Sequence, residues 1–235
     1  MVQIEGKKAK RQKKIQTILL EKGMARVQEL CKLLGCSEAT LRNDLRELES
    51  KGLIKRTFGG AVSTGNLISS NYVHQKLHHE EKEAIAQYVL QNIIKDGQTI
   101  ILDVGTTTMA VAQLLARSNR SFTVVTNSLV SANILLKNEN ININIPGGKY
   151  DRFFDTFDIA DSIPYFNNIH ADYFFMSCNG LSLEAGFTVP QKSLSITKEI
   201  IVKHVSKSIM LMDHSKIGKI AFYKACNFSD VNMLV

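Results

Sequence analysis

The sequence predicts an α/β chain in two parts: a short, basic, helix-rich module, then a larger and mostly parallel sheet covered by helices. Three observations point there. Excess positive charge is confined to the start: residues 1–62 carry 14 Lys and Arg against 7 Asp and Glu, whereas residues 63–235 carry 15 of each. Apolar residues in the first stretch recur three and four residues apart, the spacing of amphipathic helices. Beyond residue 76, helical and strand-like runs alternate, as parallel strands joined by crossover helices do. The expected division is 1–62, a linker over 63–76, and 77–235.

Composition narrows the class. A hydrophobic content of 44% supports a buried core, and no run of 18 or more apolar residues is present to span a bilayer. Met1–Lys8 has no apolar stretch behind its charges and does not read as a secretory leader, so a cytoplasmic chain with no membrane partner is expected. Cys31, Cys36, Cys178 and Cys226 form no Cys-x-x-Cys pair. They are expected to be reduced and at least partly buried, with no metal site and no cofactor. A basic face gathers near polyanions and releases their counterions on binding; on charge alone, a solvated basic tail is the alternative.

The first helix is expected over about 8–22, with Ile15, Ile18 and Leu19 on one face and Gly23 as its stop. The second, over about 26–34, places Val27, Leu30, Cys31 and Leu34 on one side, and Gly35 then turns the chain. Ser37 is a good N-cap for the third, with Cys36 able to staple onto Leu41. That helix runs from about Glu38 to Lys51. Leu41, Leu45 and Leu48 fall on one face, and Ala39, Arg42, Asn43 and Arg46 on the other. Outward arginine and asparagine suit a major groove, where they pair bidentately with guanine and adenine; an amphipathic helix with a solvated face is the plainer reading. Leu53–Val62 reads as two short strands around a basic turn, a wing whose Lys55 and Arg56 reach phosphate or minor groove.

Three motifs in order carry a resemblance. They are Val27-Gln28-Glu29-Leu30, then Ser37-Glu38-Ala39-Thr40-Leu41-Arg42-Asn43-Asp44-Leu45, then Gly52-Leu53-Ile54-Lys55-Arg56-Thr57-Phe58-Gly59-Gly60-Ala61. Arg11–Val62 resembles the winged helix-turn-helix of DeoR-type regulators. The resemblance implies that double-stranded operator DNA is contacted by Ser37, Ala39, Thr40, Arg42, Asn43, Arg46, Lys55 and Arg56. Asn43 departs from the family, which usually has a second arginine there, so no operator sequence is inferred.

Residues 63–75 are polar and aperiodic, as a linker is. His74, His78 and His79 follow, with His74 and His78 able to share a helix face. A metal site is one reading; a solvated helix start, favoured by Glu80, Glu81 and Glu83, is the other.

In the second part a helix is expected over about 79–95, with Ile85, Tyr88, Val89 and Ile93 inward. Strands are expected near 98–103, 122–126, 141–145, 172–177, 208–212 and 231–235, and helices near 107–116, 128–137 and 193–205. Ligands of such sheets gather beyond the carboxyl ends of the strands. Those ends run into Asp103-Val104-Gly105-Thr106-Thr107-Thr108, Thr126-Asn127-Ser128, Gly147-Gly148-Lys149, Cys178-Asn179-Gly180 and Asp213-His214-Ser215-Lys216. Gly105 permits close backbone approach, and the amides of 106–108 at a helix start can face a phosphate. Lys216 supplies charge, and Asp103 and Asn127 suit sugar hydroxyls. Taken singly, Gly-Thr-Thr-Thr is equally a plain helix cap.

Residues 77–235 also resemble the sugar-phosphate-sensing domain of DeoR-type regulators, which is similar in fold to ribose-5-phosphate isomerase. The resemblance carries Asp103, Gly105, Thr106, Thr107, Thr126, Asn127, Ser128, Gly147, Gly148, Asn179, Gly180, Asp213 and Lys216 into an effector site, beside Thr108 and Lys149 from the same loops. It is poor over 150–171, where Asp151, Arg152, Asp155, Asp158 and Asp161 have no assigned role beyond Arg152 as a candidate phosphate contact. Family members extend a short segment past the position of Val235. The expected function is a regulator, most often a repressor of carbohydrate-use genes, acting as a homodimer or homotetramer and responding to a phosphorylated sugar. The alternative is a sugar-phosphate isomerase with an accessory N-terminal domain, using Asp103, Asp213 and Lys216. Against it, the isomerase's paired-aspartate loop and catalytic glutamate have no clear counterpart.

Overall fold

The computed structural model describes residues 6–22, 24–57, 59–63, 77–151, 155–158 and 163–235. Gly23, Phe58, linker residues 64–76 with His74, and Arg152 and Asp161 lie outside the described residues. The chain divides into two compact units, Met1–Leu77 and His78–Val235.

The first unit holds α1 (Lys7–Lys22), β1 (Met24–Arg26), α2 (Val27–Leu34), α3 (Glu38–Ser50), β2 (Ile54–Thr57) and β3 (Gly60–Ser63). Its three helices fall where the periodicity puts them. Ile15, Leu19, Val27, Leu30, Leu41, Leu45, Leu48 and Ile54 form one buried cluster. Gly35 closes α2 in the left-handed conformation, its N–H bonding to the Cys31 carbonyl. β2 and β3 are the expected hairpin, and β3 also pairs with β1, which the sequence reading did not anticipate.

The second unit begins with α4 (His79–Tyr88), which widens into a π-helical turn over Val89–Ile93. Then follow β4 (Thr99–Leu102), α5 (Thr106–Ala116), β5 (Phe122–Thr126), α6 (Leu129–Leu135) and β6 (Ile141–Asn144). Next come β7 (Lys149–Asp151), β8 (Thr156–Asp158), α7 (Ile163–Asn167), β9 (Ala171–Met176), β10 (Gly180–Ser182), β11 (Gly186–Val189) and α8 (Lys192–Ile201). β12 (Val205–Met210), β13 (Tyr223–Cys226) and β14 (Met233–Leu234) complete it. Six strands form one sheet in the order β14-β12-β9-β4-β5-β6, every neighbouring pair parallel.

Strand alternation sorts the core into two layers. Ile100, Leu102, Val124 and Phe175 face one side, where they join Ala86, Val89, Val111 and Leu115 of the helices. Ile101, Val125, Phe174, Met176 and Met210 face the other, where they meet Phe187, Val189, Leu194 and Ile201. Part of that second cover is a separate antiparallel sheet, β10-β11-β13, and a further hairpin pairs β7 with β8. Neither was expected from sequence. Tyr88 corrects the expected inward set: it is 46% exposed, and Ala86 takes the buried place instead.

Candidate functional site

α3 presents a sharply divided surface. Leu41, Leu45 and Leu48 are buried, while Ser37, Ala39, Arg42, Asn43 and Arg46 are exposed and Thr40 is half-buried. Ser37 caps the helix, its hydroxyl accepting from the Thr40 N–H at 3.3 Å and lying 2.8 Å from the Thr40 hydroxyl. Arg42 Nε donates to Glu38 Oε1 at 3.0 Å, and Arg46 Nη1 donates to Asn43 Oδ1 at 3.1 Å. Intrahelical partners of this kind hold the guanidinium groups in place while leaving the outer face open. Lys55 and Arg56 are exposed on the wing strand β2. Glu49 anchors that strand to α3, accepting from the Arg56 N–H at 2.8 Å and from Arg56 Nε at 2.6 Å. A cleft of about 250 Å³ between α3 and the wing is lined by Arg42, Glu49, Arg56 and Gly59.

Asp44 belongs to this site although the sequence reading passed over it. It is buried on the inner edge of α3, where Arg11 and Gln12 of α1 donate to its carboxylate. It therefore fixes α1 against α3. Its place in the helical register, directly before Leu45 and three after Leu41, was the available signal.

In the second unit the sheet order reverses at β4: β5 and β6 continue to one side, and β9, β12 and β14 to the other. A crevice opens at such a reversal, beyond the carboxyl ends of the strands. Gly105 sits there at φ +147, exposed, 3.4 Å from Ser177 at the end of β9 when a Cβ is built on it. That conformation strains other residues and leaves the start of α5 open. Of the three threonines, Thr106 is half-buried and Thr107 buried. Thr108 is fully buried, its hydroxyl donating to the Asp103 and Gly105 carbonyls.

Asp103 lies below this opening. It is fully buried, its Oδ2 lies 2.8 Å from Lys198 Nζ of α8 and accepts from the Ser177 N–H at 3.3 Å, and its Oδ1 has no hydrogen-bond partner. Asp103 is thus half of a buried ion pair, with Oδ1 the oxygen that pair leaves without a hydrogen bond. Lys198 was not singled out from sequence.

Thr126, Asn127 and Ser128 are buried and engaged with the β7–β8 hairpin and with each other. Asn127 Nδ2 donates to Thr156 Oγ1 at 2.9 Å, the Ser128 hydroxyl donates to Asp155 at 2.6 Å, and Thr126 Oγ1 accepts from the Ser128 N–H at 3.1 Å. Burial pushes the Asp155 carboxyl up, offset in part by Ser128, Tyr150 and the amides of Val130 and Leu129. Asp155, unassigned in sequence, ties this hairpin to the start of α6, accepting from the Ser128 hydroxyl and the Val130 N–H. Gly147 and Gly148 precede it at φ +84 and +115, and a Cβ on Gly148 would lie 2.0 Å from the Asp158 carbonyl oxygen. Lys149 is exposed beside them. Asn179 is exposed, and Gly180 is buried against the Lys219 carbonyl.

After β12, Asp213 is buried and caps a short 3-10 turn, accepting from the Ser215 N–H and hydroxyl. Its Oδ2 accepts no hydrogen bond and lies 4.0 Å from Lys216 Nζ. Burial acts to raise this carboxyl, but Ser215, Lys216 and Lys82 outweigh it and hold it below the usual carboxylate range. Lys82 of α4 is the main residue that the sequence reading missed. It is buried, and desolvation pulls it down to about 8, partly countered by Asp213 and reinforced by Lys216. Stepping along α4 at about 100° per residue, Lys82 falls at the centre of the apolar face with Val89 and Ile93. A lysine in that register was the signal.

Known proteins share both units. The family model described as the DeoR-like helix-turn-helix domain matches residues 11–66, and that described as the DeoR C terminal sensor domain matches residues 77–235. The HTH-type transcriptional regulator GolR of Listeria innocua is 34% identical over 96% of this chain and 89% of its own length. The HTH-type transcriptional repressor GlcR of Bacillus subtilis is 31% identical over 88% and 80%. A lactose phosphotransferase system repressor of Staphylococcus epidermidis is 30% identical over 94% and 88%. Among solved structures, eIF2B delta from Chaetomium thermophilum shares the fold, with a TM-score of 0.50 at 10% identity over 97% of this chain and 71% of that one. Ribose 5-phosphate isomerase A from Methanocaldococcus jannaschii aligns at a TM-score of 0.43 and 14% identity over 60% and 55%. With a DeoR-like helix-turn-helix ahead of a DeoR C-terminal sensor domain, the chain belongs to the DeoR family of transcriptional regulators.

Proposed function

We propose that residues 1–62 bind operator DNA through α3 and the wing, and that residues 77–235, beyond a linker over 63–76, sense a phosphorylated sugar that alters that binding. The observation that carries this reading is the contrast between the two units. An exposed Arg42, Asn43 and Arg46 face stands on a basic module, while the larger, neutral unit keeps Asp213 and Lys216 beyond the end of β12 and Lys82, on α4, in their electrostatic field. Repression of carbohydrate-use genes is supported by the transcriptional repressor GlcR and the lactose phosphotransferase system repressor among its relatives. A homodimer or homotetramer suits repeated half-sites, which lie about 34 Å apart or at a multiple of that. A coupling of about 1–3 kcal/mol between effector and DNA suffices for a useful response.

On this reading the effector phosphate meets the amides at the start of α5 and the cations Lys82, Lys216 and Lys149. Asn179, with Gly180, borders it from the end of β9. Asp103, Thr108, Asn127 and Ser128 act behind it by holding the loops in place. On the same reading the sensor unit binds its ligand without turning it over, a reading supported by the burial of Asp103, one of the carboxylates an isomerase would use, against Lys198.

The experiment is a thermal-shift screen against phosphorylated sugars, followed by fluorescence anisotropy on DNA from the adjoining promoter region. A ligand that binds the native state raises the melting temperature. The same ligand is expected to shift the DNA-binding midpoint by about five-fold or more. No stabilising sugar phosphate, or steady conversion of ribose 5-phosphate to ribulose 5-phosphate, would overturn the proposal.

A further inference from the structure

His78, Glu81 and His214 bring two imidazoles and a carboxylate together, with one ligand atom from each lying within 4.8 Å of the others. His78 Nδ1 is 3.0 Å from Glu81 Oε1, and His214 Nδ1 is 2.7 Å from Glu81 Oε2. The two imidazole rings meet edge to face, with centroids 4.9 Å apart. Glu81 stands in the first turn of α4, whereas His214 opens the turn after β12 and its backbone N–H also points to Glu81 Oε2, at 3.4 Å. Two elements far apart in sequence thus converge on one carboxylate. His78, the residue before α4, is held at φ +55, a left-handed conformation that costs a histidine about 1 kcal/mol.

We propose that His78, Glu81 and His214 form a binding site for a divalent transition-metal ion of the zinc and cobalt class. Imidazole nitrogens with one carboxylate are the donors such ions favour, and three protein ligands leave a position for water. The site meets solvent on that side, His214 being 68% exposed at its side chain. Donor atoms about 2.0–2.1 Å from one ion lie about 3.3 Å from each other in a tetrahedral site. The two imidazoles now bond to different oxygens of Glu81, at 3.0 and 2.7 Å, and with all three donors within 4.8 Å of one another, side-chain rotation suffices to bring them onto one ion. Each imidazole must turn its Nδ1 lone pair to the metal. A neutral ring does so by carrying its proton on Nε2, and a protonated ring releases one proton. Lys82, next along α4, interacts electrostatically with Glu81 and opposes an added cation. That favours an ion held by directed nitrogen bonds over calcium or magnesium, which rely on carboxylate charge. An ion held here would clasp the Asp213–Lys216 loop to the first turn of α4.

The test uses the full chain, stripped with a chelator and titrated with CoCl2, with uptake followed by visible absorption. One ion per chain, with d–d bands of a nitrogen and oxygen site, is expected. His78→Ala and His214→Ala should each lose the bands, and Glu81→Gln should weaken binding about ten-fold. His79→Ala should keep them, since His79 pairs with Glu83 on the surface outside the cluster. Far-UV circular dichroism checks that each variant is folded. No Co2+ spectrum from the folded wild-type chain, an unchanged spectrum in His214→Ala, or a thiolate charge-transfer band placing the ion on cysteine would each overturn the site.

Discussion

Lys198 Nζ and Asp103 Oδ2 lie 2.8 Å apart with both side chains almost wholly enclosed, so α8 is pinned to the end of β4 by an ion pair that water does not reach. Pairs of this kind add little net stability against an apolar replacement, but removing one partner strands the other. Lys198→Met should lower unfolding free energy by about 3–5 kcal/mol. Asp103→Asn in the same chain should recover much of that. Urea denaturation of the single and double variants measures both.

Lys82 gives the sensor unit a pH dependence. Its folded pKa is near 8, depressed from 10.5 mainly by burial. Below about pH 8 the ammonium is charged in folded and unfolded chains alike, so the burial penalty is fully present. Between about pH 8 and 10.5 the unfolded chain keeps a proton that the folded chain sheds, and stability from this group rises with pH. Anion binding runs the other way, because the cation disappears. Effector affinity measured calorimetrically should fall as pH rises through about 8. Lys82→Met should bind weakly and without that step.

On the DNA side, Arg42 and Lys55 should behave differently. Arg42→Ala is expected to cost about 1–3 kcal/mol of operator binding and to relax base preference, as loss of a base contact does. Lys55→Ala should weaken all sequences alike and reduce the salt slope by about 1, as loss of a phosphate contact does. Anisotropy titrations over a range of salt concentrations separate the two. Equal affinity in both variants and the wild type would count against α3 and the wing as the docking surface.

Gly148 packs against the β7–β8 hairpin with no room for a side chain, since a Cβ would lie 2.0 Å from the Asp158 carbonyl oxygen at a φ of +115. Gly148→Ala should destabilise the chain by about 1–3 kcal/mol. Gly147→Ala meets no atom within 4 Å and bears only the cost of its positive φ. Its melting temperature should fall less.

By itself the sequence determined the local elements and the exposed face of α3. Leucines at helical spacing leave Arg42, Asn43 and Arg46 no other side, and apolar runs of four to six residues become strands of the parallel sheet. Tyr88 was misplaced because the neighbouring face is shared: Ala86, too small to draw notice, fills the buried position. Which charges meet was a tertiary matter. Asp103 finds Lys198, Ser128 finds Asp155, and Glu81 finds His214 only once helices and loops distant in the chain are brought together by the fold. The second sheet, β10-β11-β13, is likewise non-local. Periodicity records which side of an element meets water, whereas partners across the fold depend on loop closure and strand order, and no run of neighbouring residues encodes those.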